Sequence, residues 1–414
     1  MIQELYQRFL DSKGAHTDTR SLEKGHFFIA LKGERFDANE YVQQALDLGA
    51  HHVVTSDSQW QDQDKVTVVP NTLESLQQLA THHRNALGIP VVALTGSNGK
   101  TTTKELICAV LATEFNVTGT RGNLNNHIGV PLTLLSMNKS TQIGIVEMGA
   151  NHQGEIAALA EIAQPDFGLI TNYGKAHLEG FGGVDGIKKG KSELYEYLKE
   201  SDGTAIVGRW DPEQIVRSAG IKQIFTPQSA QLHTEIDPIL FTIDGLLIRT
   251  QLTGTYNYHN AVFAYTVGKT LGVSSENLKK GIASYQPSNN RSQIIEIGKT
   301  KIILDAYNAN PSSMKVALEN LSRQSTKHRV AILGDMFELG IYAKEEHQEI
   351  AAYANKLGID EIHLVGENFM EIGGKFKTHK DLSQSWSLNP TKEQVILIKG
   401  SRGMTLEQLL KEWT

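Results

Sequence analysis

The sequence predicts an α/β protein of three units built on parallel sheets. Two observations carry that expectation. Short β-branched runs recur: "VVAL" at 91, "IGIVEM" at 143, "FGLITN" at 167, "KIILDA" at 301, "RVAILGD" at 329, "IHLVG" at 362 and "VILIKG" at 395. Each is followed by Gly, Asn or Asp and then by a stretch of helical character such as "GEIAALAEIA" or "MTLEQLLKEW". That is the rhythm of strand–helix units with parallel strands. Ligands of such sheets collect at the carboxyl ends of the strands, where the polar residues closing these runs fall.

A chain of 414 residues divides into units of about 100 to 200 residues each. The first, residues 1–84, holds "HFFIALKG" and "HHVVTS" and hands over through the helical "TLESLQQLATHHRNALG" before Pro90. The second, 85–286, opens with "VVALTGSNGKTTTKEL" and closes after the helical "NAVFAYTVGKTLG". A stretch rich in Pro, Ser and Asn, "SYQPSNNRSQ", separates it from the third, 287–414, an α/β block of Rossmann-like plan.

The formal charge of −6 argues against a general nucleic-acid binder, which needs clustered Lys and Arg to neutralise phosphates. "MIQELYQRFLDSKG" lacks a basic segment followed by an apolar run, and no window holds the roughly 20 apolar residues of a membrane helix. The reading is a cytoplasmic protein without a membrane span, expected to act as a monomer. Cys108 is the only cysteine, which excludes intrachain disulfides and Cys-based zinc sites. Its apolar helical context predicts burial.

"GSNGKTTTKEL" raises the question of function. Gly96 and Gly99 bracket Ser97 and Asn98 between an apolar strand and a helix-forming run. Backbone N–H groups there can turn toward an anion at a helix N-terminus. Lys100 would reach terminal phosphates, and Thr101, followed by Thr102, would bring a hydroxyl to Mg2+. Leu94 stands where the common G-x-x-x-x-G-K-[ST] loop has its first glycine, so the loop is shorter than in GTPases and motors. No guanine-reading N-K-x-D follows it.

Glu147 closes the strand "IGIVEM", a position suited to Mg2+, which prefers oxygen ligands, and equally to a salt bridge. His177 in "ITNYGKAHLEGFGG" reads as a solvated loop histidine or a metal ligand. Lys188, Lys189 and Lys191 in "GIKKGKSELYEYL" read as a solvated helix face or a phosphate attractor.

These motifs together resemble the Mur ligase family across nearly the whole chain. The match runs from "DTRSLEKGHFFIALKGERFDANEY" through "GNLNNHIGVPLTLL", "VEMGANHQGEI", "AHLEGFG" and "GTYNYHNA" to "DAYNANPSSM", "LGDMFELG" and "KGSRGMTLE", in family order. The resemblance implies a first unit that binds a uridine-diphosphate sugar, with Thr19 and Arg20 among its contacts, and a second that binds ATP. Gly96 to Thr102 would hold the phosphates. Thr101, Glu147, His177 and a carbamylated Lys191 would hold two Mg2+ ions, with Lys189 a rival on spacing alone. Lys100, Lys191 and His177 would be catalytic. Asn257 and Asn260 would lie near the adenine, with Arg291 and Asp305 facing the nucleotide. Asn308, Asn310, Lys399 and Arg402 would meet the incoming substrate. Tyr256 stands where many members have His, and His127 where others often carry an acid.

Within the family the motifs imply an ATP-dependent amide ligase. It would join D-alanyl-D-alanine to a UDP-N-acetylmuramoyl-tripeptide through an acyl phosphate, the last cytoplasmic step toward the peptidoglycan precursor. Turn-forming Asn, Asp and Pro in "YNANP" have a purely local reading as well.

Overall fold

The computed structural model describes residues 1–234 and 238–413. Four parallel strands form the first sheet in sequential order: β1 (Ala15–His16), β2 (Phe27–Ile29), β3 (His52–Thr55) and β4 (Val66–Val68). The helix Thr72–Leu87 follows, its start capped by the Asn71 side chain, which accepts from the N–H groups of Leu73 and Glu74. Gly88, in the left-handed region at φ 61°, ends it. Arg84 on this helix pairs with Asp166 of the next unit at 2.8 Å, which fixes the hand-over.

The second sheet has β5 (Val91–Thr95), β6 (Val117–Gly119), β7 (Ile143–Glu147), β8 (Phe167–Ile170), β9 (Thr204–Val207) and β10 (Lys222–Phe225). They lie in the order β10-β9-β8-β5-β7-β6, all parallel. Every residue of β5 is buried. Such a strand is covered on both faces and therefore reads as a continuous apolar run. Leu94, fully buried, would leave a cavity if cut to Ala, at a cost of about 2–5 kcal/mol.

Sequence periodicity did not foresee a small antiparallel sheet, β11 (Gln231–Thr234), β12 (Leu240–Ile243) and β13 (Leu246–Arg249). Asp244 and Gly245 join its last two strands in left-handed conformation, the backbone of a tight two-residue hairpin turn. The fourth sheet runs β14-β15-β18-β16-β17, from β14 (Gln293–Ile297), β15 (Thr300–Asp305), β16 (Arg329–Gly334), β17 (Glu361–Val365) and β18 (Gln394–Lys399). Its edge strand β14 is antiparallel to β15, a departure from the all-parallel expectation. Gly298 and Lys299 turn the chain back too tightly for a crossover helix.

The α/β, three-unit plan of the sequence reading is the observed one. Residues 285–292 carry the chain from the helix Ser275–Ser284 to β14. Cys108 is partly buried, with its Sγ packed against Gly119 of the edge strand β6, and burial pushes its thiol pKa up to about 11. Among the described residues no helix is long and apolar enough to cross a membrane.

Candidate functional site

Between the second and fourth sheets lies a cavity of about 810 Å³. The phosphate-loop candidate forms one wall. Strand β5 ends at Thr95, and the helix Lys100–Leu111 begins without a side-chain cap. Its first N–H groups therefore remain available to an anion. Gly96 (φ 142°) and Gly99 (φ 78°) adopt backbone conformations that side chains rarely reach. A Cβ at Gly99 would come within 2.7 Å of Asn260 Oδ1, and one at Gly96 would collide with the Thr171 hydroxyl. The loop is held from β8: the Asn98 carbonyl accepts from Thr171 Oγ1 at 2.5 Å and from Asn172 Nδ2 at 2.9 Å.

Lys100 Nζ donates to the Gly96 carbonyl at 2.7 Å. Burial lowers its pKa, opposed by the nearby Glu147 carboxylate. Glu147 ends β7, paired in register with Leu94 of β5, and is 1% exposed. Its Oε1 accepts from Thr101 Oγ1 at 3.2 Å and Asn125 Nδ2 at 2.8 Å. Its Oε2 is buried without a hydrogen-bond partner. A buried carboxylate oxygen with no donor beside a phosphate loop suits a cation. Among the described residues no three His, Cys, Asp or Glu side chains gather into a metal cage. A hydroxyl, one carboxylate and substrate phosphates are the usual donors for Mg2+, which seldom uses an all-protein cage.

His177 also lines the cavity. It is left-handed at φ 54°, a strained backbone for a non-glycine residue, and its Nδ1 is paired with Glu338 from the fourth sheet's unit. Lys191 lies behind the wall rather than on it. It is 1% exposed, donates to the Ala150 carbonyl at 3.1 Å and sits over the Phe181 ring at 4.8 Å. Burial pushes its pKa far down. Lys189 is exposed on the same helix, and Lys188 pairs with Glu213.

The opposite wall comes from the fourth sheet. In register, Asp305 of β15 faces Lys399 of β18, and Lys399 Nζ meets Asp305 Oδ2 at 2.6 Å and the Asn308 carbonyl at 3.1 Å. Lys399 is therefore engaged within the protein. Arg291 stacks on Tyr307 at 3.7 Å. Asn310 caps the helix Pro311–Ser322 and donates from Nδ2 to Asn98 Oδ1 at 2.7 Å.

Of the residues expected at the site, Ser97 to Thr102, Glu147, His177, Asn257, Asn260, Arg291, Asp305, Asn308, Asn310 and Lys399 share this cavity. Gly96 is outside the lining. Arg402 stands outside the lining, paired with Glu407 at 3.2 Å. Thr19 and Arg20 belong to the first sheet's unit, and Arg20 is exposed on Asp18 at 2.6 Å. Sequence reading overlooked Asn125, Thr171, Asn172 and Tyr307 as individual residues, although each lies inside a motif it quoted.

The Mur ligase middle domain matches residues 94–268, and the Mur ligase, glutamate ligase domain matches 290–402. The UDP-N-acetylmuramoyl-tripeptide–D-alanyl-D-alanine ligase of Bacillus subtilis (strain 168) is 36% identical, over 96% of this chain and 92% of its own. That of Escherichia coli (strain K12) is 34% identical, over 95% and 92%. Among solved structures, MurF from Acinetobacter baumannii superposes with a TM-score of 0.87 at 32% identity, over 100% of this chain and 98% of the other. The MurF ligase from Thermotoga maritima in complex with ADP gives 0.85 at 28%, over 98% and 97%.

Proposed function

The chain belongs to the Mur ligase family, and from that premise we propose how its residues join D-alanyl-D-alanine to a UDP-N-acetylmuramoyl-tripeptide at the expense of ATP. One observation carries the reading. A single cavity is lined by the phosphate loop on one side and by Asp305, Asn308 and Asn310 of another unit on the other, so a nucleotide and a second substrate can meet there.

A carboxylate and an amine do not condense unaided, because oxide is a poor leaving group. The tripeptide's terminal carboxylate oxygen bonds to the γ-phosphorus of ATP as the bond from γ-phosphorus to the β,γ-bridging oxygen breaks, giving an acyl phosphate and ADP. The dipeptide's amine nitrogen, having lost a proton, then attacks the acyl carbon, and inorganic phosphate leaves.

The residues serve the charge problem of bringing an anion to a triphosphate. The N–H groups opening the helix Lys100–Leu111 would bind phosphate oxygens, and Lys100 would neutralise charge on the transferred group. Thr101, Glu147 and His177 would hold Mg2+, with Lys191 as a carbamate completing a second site. Bound there, the ions supply charge neutralisation and alignment for in-line transfer. Three features support the set: the donor-free Glu147 Oε2, the strained His177 backbone and the burial of Lys191 behind the cavity wall. Asn308 and Asn310 would orient the dipeptide, with Arg402 and Lys399 supplying positive charge nearby. Thr19 and Arg20 would hold the uridine-diphosphate end on the first unit. Closure of the fourth sheet's unit over the phosphate loop would keep water from the acyl phosphate. The working form is read as a cytoplasmic monomer.

Phosphate release measured with UDP-N-acetylmuramoyl-tripeptide and D-alanyl-D-alanine, each omitted in turn, tests this. Release should require both, with the pentapeptide product seen by mass spectrometry. Release indifferent to the dipeptide would falsify it.

A further inference from the structure

His177 and Glu338 meet across the seam between the second and fourth sheets' units, and both are non-glycine residues in the left-handed region, at φ 54° and 62°. Such a backbone persists only where its surroundings over-determine it. His177 opens the short helix Leu178–Phe181, which is anchored by the buried Leu178 and Phe181. Glu338 follows β16 on a loop pinned at three points. The Asp335 carbonyl accepts from the Ser401 N–H at 3.0 Å, the Met336 N–H donates to His347 Nε2 at 3.0 Å, and the Phe337 N–H donates to Ser401 Oγ at 2.9 Å. Gly340, two residues on, lies so close to the other unit that a Cβ there would come 3.1 Å from the Glu179 side chain.

The carboxylate presented by this loop reaches His177 Nδ1, a ring nitrogen shut off from solvent and otherwise without a partner. The His177 side chain is 18% exposed and lines the cavity, whereas Glu338 is 54% exposed and stands outside the lining. Glu338 therefore touches the histidine without walling the cavity. With Nδ1 covered, Nε2 is the ring nitrogen left to a cation. A histidine that holds a metal through one nitrogen is commonly oriented by a carboxylate or carbonyl at the other.

We propose that Glu338 is a positioning residue for His177: the fourth sheet's unit covers Nδ1 and so commits Nε2 to the cation beside the phosphates. This rests on the Mg2+ role of His177 given above. Coupling between the units follows. Because the carboxylate and the imidazole belong to different units, docking of the units and cation binding at His177 favour each other by the same factor.

The test uses the full chain as parent, Glu338→Ala, Glu338→Gln, His177→Ala, and Glu338→Ala combined with His177→Ala. The probe is Mn2+ titrated into each ADP-bound protein, with free Mn2+ read from its paramagnetic resonance signal. Glu338→Ala should weaken Mn2+ binding about 10-fold. Glu338→Gln, whose amide oxygen can still accept from Nδ1, should keep most of the affinity. The double variant should bind no more weakly than His177→Ala alone, since Glu338 acts through the histidine. In ligation, Glu338→Ala should need more Mg2+ for half-maximal rate and approach the parental kcat at saturating Mg2+. Glu338 is more than half exposed, so its truncation leaves no buried hole and the fold is kept. Parental Mn2+ affinity in Glu338→Ala, or a double variant showing the sum of the two single losses, overturns the proposal. Mn2+ affinity unchanged in His177→Ala overturns the metal reading of His177 instead.

Discussion

Asn310 Nδ2 donates to Asn98 Oδ1 at 2.7 Å, tying a helix start beside the fourth sheet to the middle of the phosphate loop. The same Asn310 side chain accepts from the Ser313 N–H at 2.9 Å and caps its helix. One residue thus combines a structural and a positioning role, and the two can be separated. Asn310→Ser keeps a capping oxygen and loses the reach to Asn98. Its stability should change by less than about 1 kcal/mol, while kcat/KM for ligation falls about 10-fold. Denaturant midpoints and initial rates check this, and parental kinetics in Asn310→Ser would show the bond to be incidental.

Glu147→Gln preserves shape and hydrogen bonding but removes the negative charge. Because Oε2 has no donor in the structure, the lost charge should appear as weakened metal dependence rather than misfolding. Turnover should drop about 100-fold or more, with a higher Mg2+ concentration needed for half-maximal rate. A Mg2+ titration matching the parent's would remove Glu147 from the metal site.

Lys191 sits where burial strongly disfavours its ammonium form, and a neutral amine can capture CO2 as a carbamate. Activity should fall in CO2-depleted buffer and return with bicarbonate. Lys191→Ala should be nearly inactive and partly restored by short carboxylates. Undiminished activity of Lys191→Ala would end the carbamate reading.

Lys175 Nζ meets Glu346 Oε1 at 2.5 Å across the interface between the two units. The hydrogen bond to Glu346 is the main cause raising the Lys175 pKa above 10.5. A folded-state pKa raised in this way gives a contribution that is complete below the unfolded value. It is lost only as pH rises through the folded value. Small-angle scattering should therefore show the same envelope from about pH 7 to about pH 9, and a more extended one for Lys175→Met throughout. An envelope that opens within that range in the parent contradicts the assignment.

Local chemistry was legible in the sequence, and long-range pairing was not. The loop from Gly96 to Thr102 announces itself because strand, glycines, lysine and helix start are adjacent in the chain. Its anchors are not adjacent: Asn172 is 74 positions from Asn98, and Asn310 is 212 away. Each of those asparagines also fits an ordinary turn. The hairpin sheet escaped notice because its strands are only four residues long, although Asp244-Gly245 carried a hairpin signal. Lys399 looked free in "KGSRG", yet strand register sets it opposite Asp305, and no spacing along the chain reveals that neighbour.

Gly174 follows β8 and meets the helix start at Ser312 so closely that an added methyl carbon would lie 3.1 Å from the Ser312 side chain and 2.7 Å from Asn98 Nδ2. An extra carbon there would force Asn98 or Ser312 to move. An inhibitor lodged in this seam would act as a wedge, prising the phosphate loop from its partner without imitating ATP or either peptide. Because ATP needs the loop that such a wedge displaces, excess ATP would oppose it, and excess of either peptide substrate would not.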